Sequence, residues 1–180
     1  RIEKMYDFSL YFSKPNGTLP LVNDTGSVNV RGSMQQAYEF FGREDFLYVA
    51  TSGRQGKPPA VDSYFFPYAG YQVMRTGWDR RAHYFLFDVG PCGGWHGHDD
   101  KLAIILDGYG APLLVETGSY NYDQSVWRAH ALSTAGHNTI LINGLGQNRR
   151  HLGTEQPPFK KEDAVWISNP LFDYGSGRYD

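Results

Sequence analysis

Two histidines two residues apart, His96 and His98, stand in the densest polar stretch of the chain, Trp95-His96-Gly97-His98-Asp99-Asp100, directly ahead of the apolar run Leu102-Ala103-Ile104-Ile105-Leu106. In extended backbone alternate residues share a face, so both imidazoles project together and can hold a metal ion. Glu116 follows eighteen positions after His98, at the end of Leu113-Leu114-Val115, and the turn signals between Asp107 and Gly110 fold the two apolar runs together. A register that sets Glu116 opposite Asp100 puts it diagonal to His98 on the same face, within reach of a shared ion. That register requires a three-residue loop or a bulge, because a two-residue turn shifts the pairing by one and breaks the alignment. A further candidate ligand, His137, stands in Thr134-Ala135-Gly136-His137-Asn138-Thr139, where a polar turn enters Ile140-Leu141-Ile142. Two imidazoles and one carboxylate with an open position make ordinary zinc coordination. The same residues also read without a metal, as exposed strand histidines, a solvated strand end at Glu116 and a hydrogen-bonded loop histidine at His137.

The elements that must position these groups are mostly strands. Short runs at 71–75, 82–89, 101–106, 112–116 and 138–142 lie between turn signals, among them Asp107-Gly108 and Asn143-Gly144, which is the chemistry of hairpins in an antiparallel sheet. Ahead of them the best-defined element is helical. Ser33 and Gln36 form a capping box before Met34, Ala37, Phe40 and Phe41, which recur at helical spacing and predict a helix ending near Gly42. The Gly- and Pro-rich stretch 52–59 reads as a linker. The expected fold is therefore mainly β, a partial antiparallel β-sandwich over residues 61–180, preceded by a short helical segment and linker over residues 1–60. The tail from Trp166 still carries aromatic residues and turn signals where the sequence stops, as a truncated sandwich would.

Composition agrees with sheet and narrows the partners. With 17 Lys plus Arg against 19 Asp plus Glu, the net charge of −2 gives no long-range attraction to nucleic acid. The 21 Gly, 13 Tyr, 11 Phe and 4 Trp describe a turn-rich, aromatic-rich chain, whose rings serve packing first and sugar stacking second. Cys92 is the only cysteine, so no internal disulfide forms and the redox compartment stays open. No apolar run approaches the roughly 20 residues needed to span a bilayer. Arg1-Ile2-Glu3-Lys4 shows no signal pattern, as it also would after removal of a signal.

The order of these motifs resembles the heparinase II/III-like polysaccharide lyases, which include heparin, heparan and alginate-type enzymes. The likeness runs through Pro67-Tyr68-Ala69-Gly70-Tyr71-Gln72-Val73-Met74-Arg75, then Gly94-Trp95-His96-Gly97-His98-Asp99-Asp100-Lys101-Leu102, then Leu114-Val115-Glu116-Thr117-Gly118, then His137-Asn138-Thr139. It covers residues 62–147. Residues 14–49 are similar to the closing helices of the family's α/α toroid, and the tail to its later sandwich strands. The resemblance implies a helical toroid followed by an antiparallel β-sandwich, with an acidic polysaccharide or oligosaccharide bound in the cleft between them and cleaved by β-elimination. It implies one divalent metal, zinc by preference, held by His98, Glu116 and His137, where the family often has Asp in place of Glu116. His96 falls where the family has a cleft histidine acting on the uronate, either in removing the C5 proton or in delivering one to the leaving oxygen; the plainer reading has it complete a polar network around the metal. The principal tyrosine acid/base and a neutralising Asn or His belong to the toroid in this family. No residue of 1–60 matches them, so the isolated chain is expected to be inactive. A periplasmic or secreted location is implied as well.

Tyr122 reads as a sugar contact or as a core tyrosine, and Arg128 as a fork for a substrate carboxylate or as half of a local ion pair. Two other classes compete with the lyase. A cupin-type metal oxygenase also uses His-x-His, a Glu and a later His, but wants the Glu only a few residues after the second histidine, where this chain has Asp99, Asp100 and an apolar run. A non-catalytic carbohydrate-binding or scaffold domain would bind sugar without forming unsaturated product.

Overall fold

The structure is a computed structural model that describes residues 1–91, 96–148 and 160–179, and of Lys161 the backbone alone; Cys92 and Trp95 lie outside the described residues. Three helices come first: α1 (Ile2–Phe12), α2 (Arg31–Phe41) and α3 (Glu44–Ala50). Their apolar faces meet in a small core of Leu10, Val30, Met34, Ala37 and Phe46, each at most 1% exposed. Arg43 binds the polar edges together through Glu3, Asp7 and Asp45. Helix α2 starts at Arg31, earlier than the capping-box reading places it, because Ser33 donates its hydroxyl to the Val30 carbonyl within the first turn. It ends at Gly42 in the left-handed conformation, as the spacing predicts. Phe40, though part of the helical repeat, is 74% exposed. At 3.6 residues per turn it lies a third of a turn away from Met34, whereas Ala37 falls on the buried stripe.

Five strands form an antiparallel meander in the order β1 (Tyr64–Phe66), β2 (Tyr71–Arg75), β3 (Tyr84–Asp88), β4 (Ile104–Gly108), β5 (Ala111–Leu114). Val73, Leu86 and Ile105 are in register across the three central strands, so strand alternation puts them on one face. That face packs on Phe12 from the end of α1 and on Leu19 and Val22 beyond it. The carbonyls left unbonded at the end of α1 are met from the sheet: Arg75 donates to the Tyr11 and Ser13 oxygens and Tyr84 to that of Phe12. The opposite face receives a second antiparallel pair, β6 (Val165–Ser168) and β7 (Asp173–Ser176), through Gln72, which donates to the Val165 and Ser176 carbonyls, and through stacking of Phe65 on Trp166. This is the sandwich expected from the sequence, with five strands in one sheet and two in the other among the described residues. Among the described residues no helix is long and apolar enough to cross a membrane.

Two expectations about the hairpins are overturned. The turn between β4 and β5 is Tyr109-Gly110, with φ of 56° and 85°, rather than Asp107-Gly108, which belong to β4. Leu106 consequently pairs with Leu114 and Gly108 with Ala111, with a shift between Leu106 and Asp107, so the ladder never sets Glu116 opposite Asp100. The stretch 138–142 is not a strand; only an isolated bridge, Ile142 with Leu145, closes the Asn143-Gly144 turn. Its polar groups bond instead to Val115, Glu116 and Lys101.

Candidate functional site

The loop between β3 and β4 carries both histidines, and two sequence-distant segments hold it. Leu102 donates to the Asp88 carbonyl and Asp88 to that of Ala103, closing its base. Asp99 donates to the carbonyl of Leu132, the last residue of helix α4 (Val126–Leu132). From the other side comes the segment after α1: Asn23 accepts from the His98 amide, and Asp24 donates its amide to the His96 carbonyl. Asn23 also donates to the Tyr71 hydroxyl at the start of β2, which fixes the segment to the sheet.

The two histidines diverge from this loop. His98 is fully buried, and its Nε2 lies 3.0 Å from Asp24 Oδ1. The His96 side chain is 70% exposed, with Nδ1 3.1 Å from Asp24 Oδ2. A paired imidazole projection from one strand face is thus replaced by an inward and an outward ring, because residues 96–100 are loop rather than strand.

His98 faces His137 at 5.2 Å between ring centroids. One ligand atom from each of His98, Asp100 and His137 lies within 4.8 Å of the others, the spacing a shared ion needs. Glu116 touches the same His137, with Oε2 in contact with Nδ1 and Oε1 accepting from the Asn138 amide at 3.0 Å. The Asn138 side chain donates to the Val115 carbonyl, and the Thr139 hydroxyl to that of Lys101. Residues 137–139 therefore clamp two segments in place of pairing as a strand. A single 3-10 turn, Thr134–Gly136, delivers His137, and Gly136 is required there, since a Cβ would sit 2.3 Å from the His130 carbonyl oxygen.

Arg128 lies on α4, whose N-cap Ser125 accepts from the Arg128 amide. Its guanidinium grips Asp24 at 2.6 Å and 2.9 Å and donates to the Ser119 carbonyl at 2.5 Å. The fork, read from the sequence either as reaching a substrate carboxylate or as half of an ion pair within the chain, is engaged by the chain's own Asp24. Tyr122, 67% exposed, lies at the mouth with Arg128 5.0 Å from its ring centre and His96 edge-on at 6.3 Å.

Electrostatics follows this layout. Burial pushes Asp24 towards its neutral form, but hydrogen bonds from Arg128, His98 and His96 prevail and hold its carboxyl below the ordinary range. Burial lowers the His98 pKa, with the Asp24 bond opposing. For His137 burial pulls downward, yet the Glu116 bond and charge, with Asp100 and Asp99 behind them, raise it. Asp24 and Asp100 were not among the residues singled out from sequence. Asp100 was legible as part of the polar cluster, whereas Asn23-Asp24-Thr25-Gly26 reads only as a turn.

Residues 58–167 match the family described as Heparinase II/III-like, C-terminal. The chain is 29% identical over 200 residues to a heparin-sulfate lyase of Bacteroides stercoris, covering 95% of this chain and 30% of that protein. It is 26% identical over 186 residues to a heparin-sulfate lyase of Pedobacter heparinus, covering 95% of this chain and 27% of the relative. The chain thus spans under a third of the curated relatives it matches. Among solved structures it superposes on heparinase III, the BT4657 gene product, with a TM-score of 0.71 at 28% identity, over 79% of this chain and 24% of that one. It shares its fold with the heparan sulfate lyase HepC from Pedobacter heparinus, at a TM-score of 0.79 and 23% identity over 96% of this chain and 27% of that one.

Proposed function

Because the chain belongs to the heparinase II/III-like C-terminal family, we propose that it forms the sheet-side wall of the active site in a polysaccharide lyase, cleaving a uronate-containing glycosaminoglycan of the heparin or heparan sulfate type by β-elimination. The observation that carries this reading is the divergence of the His-x-His pair: His98 is wholly buried against His137, and His96 is open to solvent beside Tyr122. β-Elimination needs a base for the uronate C5 proton, stabilisation of the charge that develops on the carboxylate, and a proton for the departing O4 oxygen. With Nδ1 of His96 bonded to Asp24, its Nε2 is the nitrogen available to exchange a proton with a sugar bound at the mouth. Tyr122 offers a ring face and a hydroxyl to the same sugar. Arg128 acts through Asp24 and through its positive field, since direct contact with a substrate carboxylate would require it to leave Asp24.

The buried end of the site fits the divalent metal that the family implies. Among the described residues His137 Nε2 is buried without a hydrogen-bond partner, and the donor set of two imidazoles with carboxylates suits zinc. We assign His98 and His137 as its holders, together with Glu116 and Asp100, the two carboxylates that flank them. When bound, the ion supplies fixed positive charge and rigidity beneath the loop that presents His96. The tyrosine acid/base and the neutralising Asn or His are assigned to a helical toroid of which residues 1–60 supply only the end. A periplasmic or secreted location accompanies this substrate class. The test is ultraviolet absorbance of the new C4–C5 double bond, with the intact protein on heparan sulfate, heparin, hyaluronan and alginate. No rise on any acidic glycan would sink the lyase reading; a rise on alginate alone would keep the reaction and overturn the substrate.

A further inference from the structure

One carboxylate touches both rings of the His-x-His pair, and it comes from a segment more than seventy residues earlier in the chain. Asp24 accepts from His96 through Nδ1 at 3.1 Å and from His98 through Nε2 at 3.0 Å. Arg128 holds the same carboxylate at two points, with the two side chains 10% and 3% exposed. The Asp24 amide also reaches the His96 carbonyl, so the contact fixes the loop's backbone as well as its rings. An ionised carboxylate only accepts hydrogen bonds, and a neutral imidazole carries one N–H and one lone pair on opposite nitrogens. The two rings meet Asp24 through different nitrogens, so they take opposite tautomers.

We propose that Asp24 is a positioning residue that assigns the two histidines their separate tasks by fixing opposite tautomers: Nδ1–H in His96, leaving its Nε2 lone pair at the mouth, and Nε2–H in His98, leaving its Nδ1 lone pair for the buried donor cluster. Arg128 keeps the carboxylate charged and aimed. The helical segment thereby contributes to the site on the sheet without itself touching a substrate. This assignment rests on the proposed function for what the two nitrogens are used for, but the tautomers themselves do not depend on it.

The decisive measurement is long-range ¹H–¹⁵N correlation of the histidine rings in the intact, metal-free protein, at a pH above the ordinary histidine value of about 6.5. Wild type is expected to show a protonated Nδ1 in His96 and a protonated Nε2 in His98. The same tautomer in both rings would overturn the proposal, whether or not any variant folds. In Asp24→Asn the opposite pattern is expected to be lost, and the affinity for Zn²⁺, measured by chelator competition, to fall by roughly 10- to 100-fold. Asp24→Glu is expected to restore part of both. A pattern and affinity unchanged in Asp24→Asn would also refute the role. If the tautomers stand but no acidic glycan yields unsaturated product, the lyase reading fails and the positioning role survives.

Discussion

Replacing Arg128 with Met deletes the guanidinium fork while keeping most of the apolar stem, so it isolates the charge pair with Asp24 from simple packing loss. Both side chains are almost closed to solvent, at 10% and 3%, and the Asp24 oxygens lie 2.6 Å and 2.9 Å from the two terminal nitrogens. Removing one partner of a buried pair typically costs about 3–5 kcal/mol, because the other charge stays buried without compensation. Here Asp24 keeps two imidazole donors, which places the expected loss near the lower end, at about 3 kcal/mol. For a chain of this size that corresponds to a fall in melting temperature of roughly 6–12 °C. Urea unfolding of metal-free protein, with Arg128→Met, Asp24→Asn and the double variant, gives the coupling directly. The double variant should be more stable than the sum of the two single losses requires, by about 1–3 kcal/mol. A loss below about 1 kcal/mol in Arg128→Met, the value of an exposed pair, or strict additivity, would refute the claim that this pair is a buried linchpin of the site.

The division within the His-x-His pair predicts that His98→Ala lowers metal content and melting temperature together, whereas His96→Ala leaves both nearly unchanged and lowers turnover; metal stoichiometry, thermal melts and lyase rates on the intact enzyme check it, and reversed effects would swap the roles. The raised His137 pKa contributes stability that is fully present below the unfolded value of about 6.5 and is lost as pH rises through the folded value. In chelator, Glu116→Gln should therefore cost more stability near pH 6 than near pH 9, and an equal cost at both, read from urea midpoints, would contradict the pairing. Gly136→Ala must move either His137 or the end of α4, since its Cβ meets the His130 carbonyl. A loss of about 1–3 kcal/mol is expected from such overpacking, with weakened Zn²⁺ binding by chelator competition; unchanged binding would show that the 3-10 turn does not aim His137.

Much of the architecture was written in local pattern. The run Tyr71-Gln72-Val73-Met74-Arg75 is a strand with the bounds its alternation predicts, and Gly42 ends α2 because a left-handed residue is cheap only there. His96, His98, Glu116 and His137 announced themselves by residue type in polar clusters beside apolar runs, and the structure gathers them about one loop. Their partnership was decided by tertiary structure. The Tyr109-Gly110 turn changed the hairpin register, so Glu116 meets His137 through the clamp of residues 137–139 and not through a ladder facing His98. Asp24 gave no signal at all, because an Asx in a Gly-containing turn is explained by the turn alone. Its contacts with His96, His98 and Arg128 exist only because Phe12, Leu19 and Val22 dock the preceding segment on the sheet. Hydrophobic periodicity is a property of neighbours along the chain and can be read from sequence; the nitrogen a histidine presents is set by a carboxylate that arrives from elsewhere, and only the packed fold brings it there.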